Sequence, residues 1–142
     1  MRRVHVIVGV ATVAAFLLSG QMLRLHHPPV RTMADGPRMM LISRHIYLLG
    51  AGLVNLALGL YLRWENVGWR RHLQMAGCVL VAIAPLALAI AFLVAPEHGV
   101  EGRSWWAAYG WFALFGGTMM HLLARIAAGR ISGRIDTTAS GL

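Results

Sequence analysis

The chain has 142 residues, of which 58% are hydrophobic and only 13% are charged, and its formal net charge is +8. The charged share is about half of that in a soluble domain, which excludes an ordinary soluble fold. All thirteen basic residues are arginines that flank apolar stretches and form no separate basic module. The positive charge therefore indicates a membrane protein and argues against a nucleic-acid-binding one.

Four apolar stretches fill most of the chain, and each has about the length that a helix needs to cross a bilayer. The predicted transmembrane helices cover approximately residues 4–23, 41–62, 73–95 and 105–126. We therefore predict an all-α integral membrane protein, a four-helix transmembrane bundle in which residues 1–142 form a single membrane domain. The connections are short except for one longer ordered external loop at 24–40, and residues 127–142 form a tail.

The first stretch follows Arg2 and Arg3 and resembles a signal peptide. Its apolar run is long enough to span a membrane, however, and no convincing cleavage site follows it, so we expect a retained helix. A faint similarity links residues 9–14 to residues 77–82, which hints at two similar hairpins without establishing them.

Arginines outside the predicted spans indicate the orientation, because they accumulate on the cytoplasmic side of a membrane. Their distribution favours cytoplasmic termini, in a bacterial cytoplasmic (inner) membrane. The loop at 24–40 is then external although it carries Arg24, Arg31 and Arg38. We expect these charges to have partners, such as anionic lipid, another subunit or a bound ligand.

The second predicted helix carries an unusual polar side. One stripe has a residue every seven positions: Arg38, His45, Gly52 and Gly59. An adjoining stripe contains Arg44, Ala51 and Asn55. Lipid cannot satisfy such groups, so this side must face protein. The residues expected to bind a partner, a lipid headgroup or an anionic ligand are Arg31, Arg38, Arg44, His45 and Asn55, together with His26 and His27 of the loop.

A face of small residues on the fourth predicted helix ends at His121 and predicts a helix-packing seam. In the expected orientation His5 and His121 lie near the inner surface and His45 near the outer one. This two-level distribution resembles, in general design, the membrane b-type cytochromes, where a bis-histidine haem lies between helices. The resemblance implies haem b as a possible cofactor, with His45, His121 and His5 as candidate ligands.

Size and helix number give a second resemblance, to the glutathione-using membrane enzymes of eicosanoid metabolism, which are trimers. The corresponding residues are Arg44 and His45 followed by Asn55. That family has a glutamate in its polar second-helix motif, and residues 41–62 contain none. The resemblance implies a glutathione-type enzyme as an alternative function.

No set of catalytic residues emerges from the sequence, so a non-catalytic protein is expected. All five carboxylates lie in loops or the tail, which argues against paired-carboxylate catalysis. Cys78 is the only cysteine, and no zinc spacing surrounds it, so it is expected to be a small core residue. The sequence leaves any metal site unknown. The leading prediction is a small integral-membrane subunit that associates with itself or with a larger membrane complex.

Overall fold

The computed structural model describes residues 1–25, 29–65, 68–94 and 105–139, with the side chains of the last helix described as far as residue 127. Within these ranges the chain forms helices and no strand. The four long helices are α1 (Arg2–Leu25), α2 (Asp35–Tyr61), α3 (Gly68–Val94) and α4 (Trp105–Ala139). The predicted all-α four-helix bundle is therefore confirmed. Helices α1, α2 and α3 are each long and apolar enough to cross a membrane.

All four helices extend beyond their predicted bounds, α1 by two residues at each end and α3 by five residues at its start. Helix α2 begins at Asp35 inside the predicted loop, and Pro37 does not prevent this, because N–H groups in the first turn have no intrahelical partner. Asp35 forms a 2.7 Å ion pair with Arg38 and sits at the positive end of the helix dipole. Helix α4 continues through the predicted tail as far as Ala139.

The connection between α1 and α2 is held against the bundle. A short 3₁₀ turn covers Val30–Thr32, closed by a bond from the Thr32 amide to the Pro29 carbonyl. The side chains of Val30 and Met33 pack against the hydrophobic core. This part of the predicted external loop is therefore ordered. His26 and His27 lie outside the described residues.

The bundle consists of two helical hairpins, α1 with α2 and α3 with α4, which meet mainly where α2 packs on α3. In the first hairpin the backbones approach closely at Gly52. A Cβ there would lie 2.9 Å from the Val13 side chain and 3.4 Å from the Gly9 carbonyl oxygen. Only a glycine allows this approach without displacing α1.

The second hairpin repeats the packing of the first. A Cβ at Gly117 would lie 2.7 Å from the Val81 side chain and 2.7 Å from the Gly77 carbonyl oxygen. A shift of 68 residues relates Gly9 and Val13 to Gly77 and Val81, and one of 65 residues relates Gly52 to Gly117.

The same two shifts hold at the other end of the hairpins. The contact of Gly20 with His45 in the first hairpin corresponds to that of Leu88 with Gly110 in the second. The similarity of residues 9–14 to residues 77–82 thus marks a repeated helix pair.

The fully buried apolar core lies between α2 and α3. Its members are Leu41, Leu48, Ala51, Leu88 and Phe92. Large apolar side chains on the outer faces of the helices are exposed, as a bilayer-facing surface requires, for example Ile7 at 68% and Phe112 at 76%. The polar groups that matter for function are those on the inner faces.

Replacing Gly117 by Ala tests the second seam. The new methyl group would meet the Gly77 carbonyl oxygen, which is backbone and cannot rotate away, so α3 and α4 must separate. We expect a loss of about 1–3 kcal/mol in the free energy of unfolding, measured by denaturant titration in detergent.

Gly116→Ala is the matched control, because a Cβ at Gly116 meets nothing within 4 Å. It should leave stability unchanged or raise it by up to about 1 kcal/mol through better helix propensity. Equal effects of the two substitutions would contradict the close contact at Gly117.

Candidate functional site

Each of the four helices contributes one buried side chain to a common level inside the bundle. These four residues, the polar layer, are His5 of α1, Asn55 of α2, Cys78 of α3 and His121 of α4. The first three are 0% exposed and His121 is 7% exposed. Buried polar groups in a membrane protein are expensive, so their hydrogen bonds indicate what they do.

Asn55 replaces a hydrogen bond that a proline removes from α3. Pro85 lies inside that helix and has no N–H group to donate to the carbonyl of Val81, four residues earlier. The Asn55 Nδ2 donates instead to the Val81 oxygen at 3.0 Å and to the Ala51 oxygen of its own helix at 2.9 Å. An amide on α2 therefore satisfies a backbone break in α3.

These two bonds also determine which ring nitrogen of His5 carries a proton. Since the Asn55 nitrogen donates to two carbonyls, its Oδ1 is the atom that faces His5 Nδ1 at 2.8 Å, and Oδ1 can only accept. His5 therefore carries its proton on Nδ1. In the neutral ring the Nε2 then holds a free lone pair, and this atom is buried without a hydrogen-bond partner.

The other half of the polar layer joins α3 to α4. Cys78 Sγ lies 3.5 Å from His121 Nε2. Cys78 precedes Val81 by three residues, so the two pairs of contacts lie within about one helical turn of each other. The sequence predicts His5 and His121 as candidate haem ligands and Asn55 as a residue that binds a partner or ligand, and the structure brings the three into one layer.

His45 lies elsewhere, ten residues before Asn55 and hence about 15 Å away along α2. The Ser19 hydroxyl donates to the Phe16 carbonyl, so His45 Nδ1 donates to the Ser19 oxygen at 2.8 Å. The imidazole stacks on the Phe16 ring, with centroids 4.2 Å apart, and lies 6.5 Å from that of Phe92. His45 thus ties α1, α2 and α3 together near the loop end.

Arg44 is buried, with 6% exposure, and points into the bundle. Its Nη1 donates to the Ala91 carbonyl at 3.1 Å. Ala91 lies in the last described turn of α3. The guanidinium therefore joins α2 to the backbone of α3, a role that the sequence pattern does not predict.

The predicted arginines of the first connection lie at the surface. Arg24 and Arg31 are exposed, and the Arg38 side chain is 38% exposed beside its partner Asp35. Arg24, Arg31 and Arg38, the loop arginines, lie at the same end of the bundle as Arg44 but face outward. The structure therefore separates the predicted binding residues into an exposed set and a buried set.

A second polar network, which the sequence analysis missed, lies at the opposite end. Gln74 is 0% exposed; its Nε2 donates to the Arg63 carbonyl and its Oε1 accepts the Glu65 amide, which holds the α2–α3 connection. Glu65 lies 3.8 Å from Arg70 and accepts a 3.3 Å bond from Arg125. The signal was available, since Glu65 is the only acid between α2 and α3.

The polar layer constrains what it could bind. No three of the described His, Cys, Asp and Glu side chains are close enough together to hold a metal ion. Of the predicted haem ligands, His5 and His121 would be the residues of this layer that could hold such a group.

No known protein family, curated protein or solved structure matches this chain. Its function must therefore be argued from the arrangement of its own residues.

Asn55→Leu tests the proline compensation. It leaves the Val81 carbonyl without its side-chain donor and His5 Nδ1 without its acceptor, so we expect a loss of about 1–3 kcal/mol in the free energy of unfolding. Pro85→Ala supplies an N–H group to Val81, so Asn55→Leu should cost less in that background. A double-mutant cycle in detergent measures the difference.

Met120→Leu is the control, since Met120 occupies the position in α4 that corresponds to Asn55 in α2. Its cost should be the same in the wild-type and in the Pro85→Ala background. If Asn55→Leu also costs the same in both backgrounds, Asn55 does not compensate for the proline.

Proposed function

We propose that this protein is a small integral-membrane subunit whose loop arginines bind an anionic surface, either on a partner protein or on a lipid headgroup. The exposed charge of Arg24, Arg31 and Arg38 carries the proposal, because Arg24 in the last turn of α1 and Arg38 in the first turn of α2 flank Arg31 on a connection that packs against the bundle. Guanidinium groups pair bidentately with carboxylate and phosphate. Among the described residues near them, Asp35 is the only acid.

The geometry refines which residues would take part. Arg44 and Asn55 already bond to α3, and His45 bonds to α1, so these three support the surface by fixing the helices that carry it. Arg31 and Arg38 would make the contact, with His26 and His27 as further candidates outside the described residues. Association, with itself or with a larger complex, would take place in a bacterial cytoplasmic membrane, with both termini in the cytoplasm.

The double substitution Arg31→Gln, Arg38→Gln tests this proposal. It removes two exposed charges without touching the core, so the protein should fold as before but lose its associates. We expect proteins or anionic lipids that co-purify with the wild type in mild detergent to be reduced at least severalfold, measured by quantitative mass spectrometry.

The control is Arg63→Gln, Arg71→Gln, which removes the same charge from two exposed side chains at the opposite end of the bundle. It should retain the associates. Retention of all associates by the Arg31→Gln, Arg38→Gln variant would rule out the loop arginines as the binding surface.

A second candidate function is a haem-b subunit for electron transfer. The free lone pair on His5 Nε2 favours it, because an imidazole that ligates iron commonly donates its other N–H to an oxygen acceptor, as His5 does to Asn55. His121, in the same layer on α4, would be the second residue to hold the haem. Haem would supply one-electron redox chemistry, and the two imidazoles would set its orientation and potential.

A visible spectrum of the protein, oxidised and then reduced with dithionite, tests this candidate. If haem is bound, a Soret band and sharp reduced-state bands appear at stoichiometric intensity. They should be lost in His5→Ala and His121→Ala and kept in His45→Ala, because His45 lies about 15 Å from the polar layer. A featureless wild-type spectrum would reject the haem hypothesis.

A further inference from the structure

A groove opens between α1 and α2 at the end of the bundle where α1 begins. It has a volume of about 560 Å³ and its lining is mostly apolar. The six residues of this α1–α2 groove are Arg2, Arg3, Val6, Ile7, Gly59 and Leu60. Gly59 creates it in part, since the helices touch there directly: a Cβ on Gly59 would lie 2.5 Å from the Val6 side chain.

One arginine at the head of the groove is held in place by the end of α2. Arg2 Nε donates to the Gly59 carbonyl at 3.2 Å, and its Nη2 donates to the Leu60 carbonyl at 2.8 Å. These carbonyls belong to the last turn of α2, where they lack helical donors. The guanidinium is thereby fixed at the mouth, with its remaining nitrogen, Nη1, not used in those bonds.

The neighbouring arginine is free to bind. Arg3 is exposed and makes no hydrogen bond or ion pair with any of the described residues. No acid lines the groove. Two arginines therefore line a mostly apolar groove that contains no carboxylate to neutralise them.

The depth of the groove matches the layers of a membrane. Tyr61 is 80% exposed and Trp64 is 39% exposed beside the groove, and such aromatic side chains lie at the headgroup level. About one turn deeper along α1 than Arg3, Ile7 is 68% exposed on the surface that faces acyl chains. The charges thus lie at the level of lipid phosphates and the apolar lining at the level of the chains.

We propose that the α1–α2 groove binds one anionic phospholipid. Its acyl chain lies along Val6, Ile7 and Leu60, and its phosphate is bound by Arg3 and by the free side of the Arg2 guanidinium. Charge complementarity selects the occupant, because the phosphate of an anionic headgroup offsets part of the charge of the two arginines, whereas a zwitterionic headgroup also brings a cationic group. This site lies at the opposite end from the loop arginines and does not depend on the proposed function.

The full-length protein, purified in detergent, allows a direct test. Native mass spectrometry measures the dissociation constants of dioleoylphosphatidylglycerol and dioleoylphosphatidylcholine. We expect the anionic lipid to bind more tightly. Arg3→Gln should raise the dissociation constant of phosphatidylglycerol about fivefold, which corresponds to the contribution of about one arginine near a charged headgroup. The dissociation constant of phosphatidylcholine should not change.

Two controls separate a built site from general surface charge. Arg71→Gln removes an equal charge at the same end of the bundle, outside the groove, and should retain wild-type affinity. Ile7→Trp keeps both arginines but fills the groove and should abolish the preference for phosphatidylglycerol. Leu60→Trp repeats this test from α2, in case the first variant does not fold.

Three outcomes would overturn the proposal. They are equal affinity for the two lipids, an effect of Arg71→Gln as large as that of Arg3→Gln, and displacement of phosphatidylglycerol by inorganic phosphate alone. The last result would mean that the arginines bind a free anion and that the groove contributes nothing.

Discussion

The hydrogen bond from Asn55 to the Val81 carbonyl is the interaction on which the interior of this bundle depends. A proline in a membrane helix leaves a carbonyl that lipid cannot satisfy, so a neighbouring helix must supply the donor. Asn55 does this from α2, and in doing so it turns its own oxygen towards His5 on α1. One amide thus connects three helices. It also determines that His5 donates a proton from Nδ1.

The glycines explain why this connection can form. Side-chain amides reach only a few ångströms, and α1 comes close enough to α2 because Gly9, Gly52 and Gly59 remove the Cβ atoms between them. The second hairpin uses the same register at Gly77 and Gly117 but places different groups there. His121 takes the place that Leu56 holds in the first hairpin. The two hairpins therefore share their backbone packing but carry different side chains at corresponding positions, so the polar layer is not symmetric.

Much of the fold could be predicted from the sequence because hydrophobic length alone sets a membrane helix. The helix number follows from that length. The packing role of the glycines and the inward polar side of α2 follow from helical periodicity, since lipid cannot satisfy polar groups. Partners could not be predicted in the same way. Arg44 has no carboxylate at its depth in the sequence, which suggested an external anion, yet in the structure it donates to a carbonyl at the end of α3. Such an acceptor is present on every helix and leaves no mark in the sequence. In the network at the other end, Glu65 is a signal in the sequence but Gln74 is not, since Gln74 bonds to loop backbone.

Two arginines use backbone carbonyls as partners. Arg2 donates to the carbonyls of the last turn of α2 and Arg44 donates to the Ala91 carbonyl of α3, so carbonyl groups take the place that carboxylates would have in a soluble protein. Among the described side chains this leaves two buried nitrogens without partners, Arg70 Nε and His5 Nε2. The charge of Arg70 is compensated by Glu65 and by the Trp69 ring, so only one N–H group of its guanidinium lacks a partner. His5 differs, because its Nε2 is buried without a partner in a ring that is 0% exposed and whose other nitrogen is held by Asn55. A buried polar atom without a partner costs free energy, and a group bound at His5 Nε2 would supply the partner that the described side chains do not.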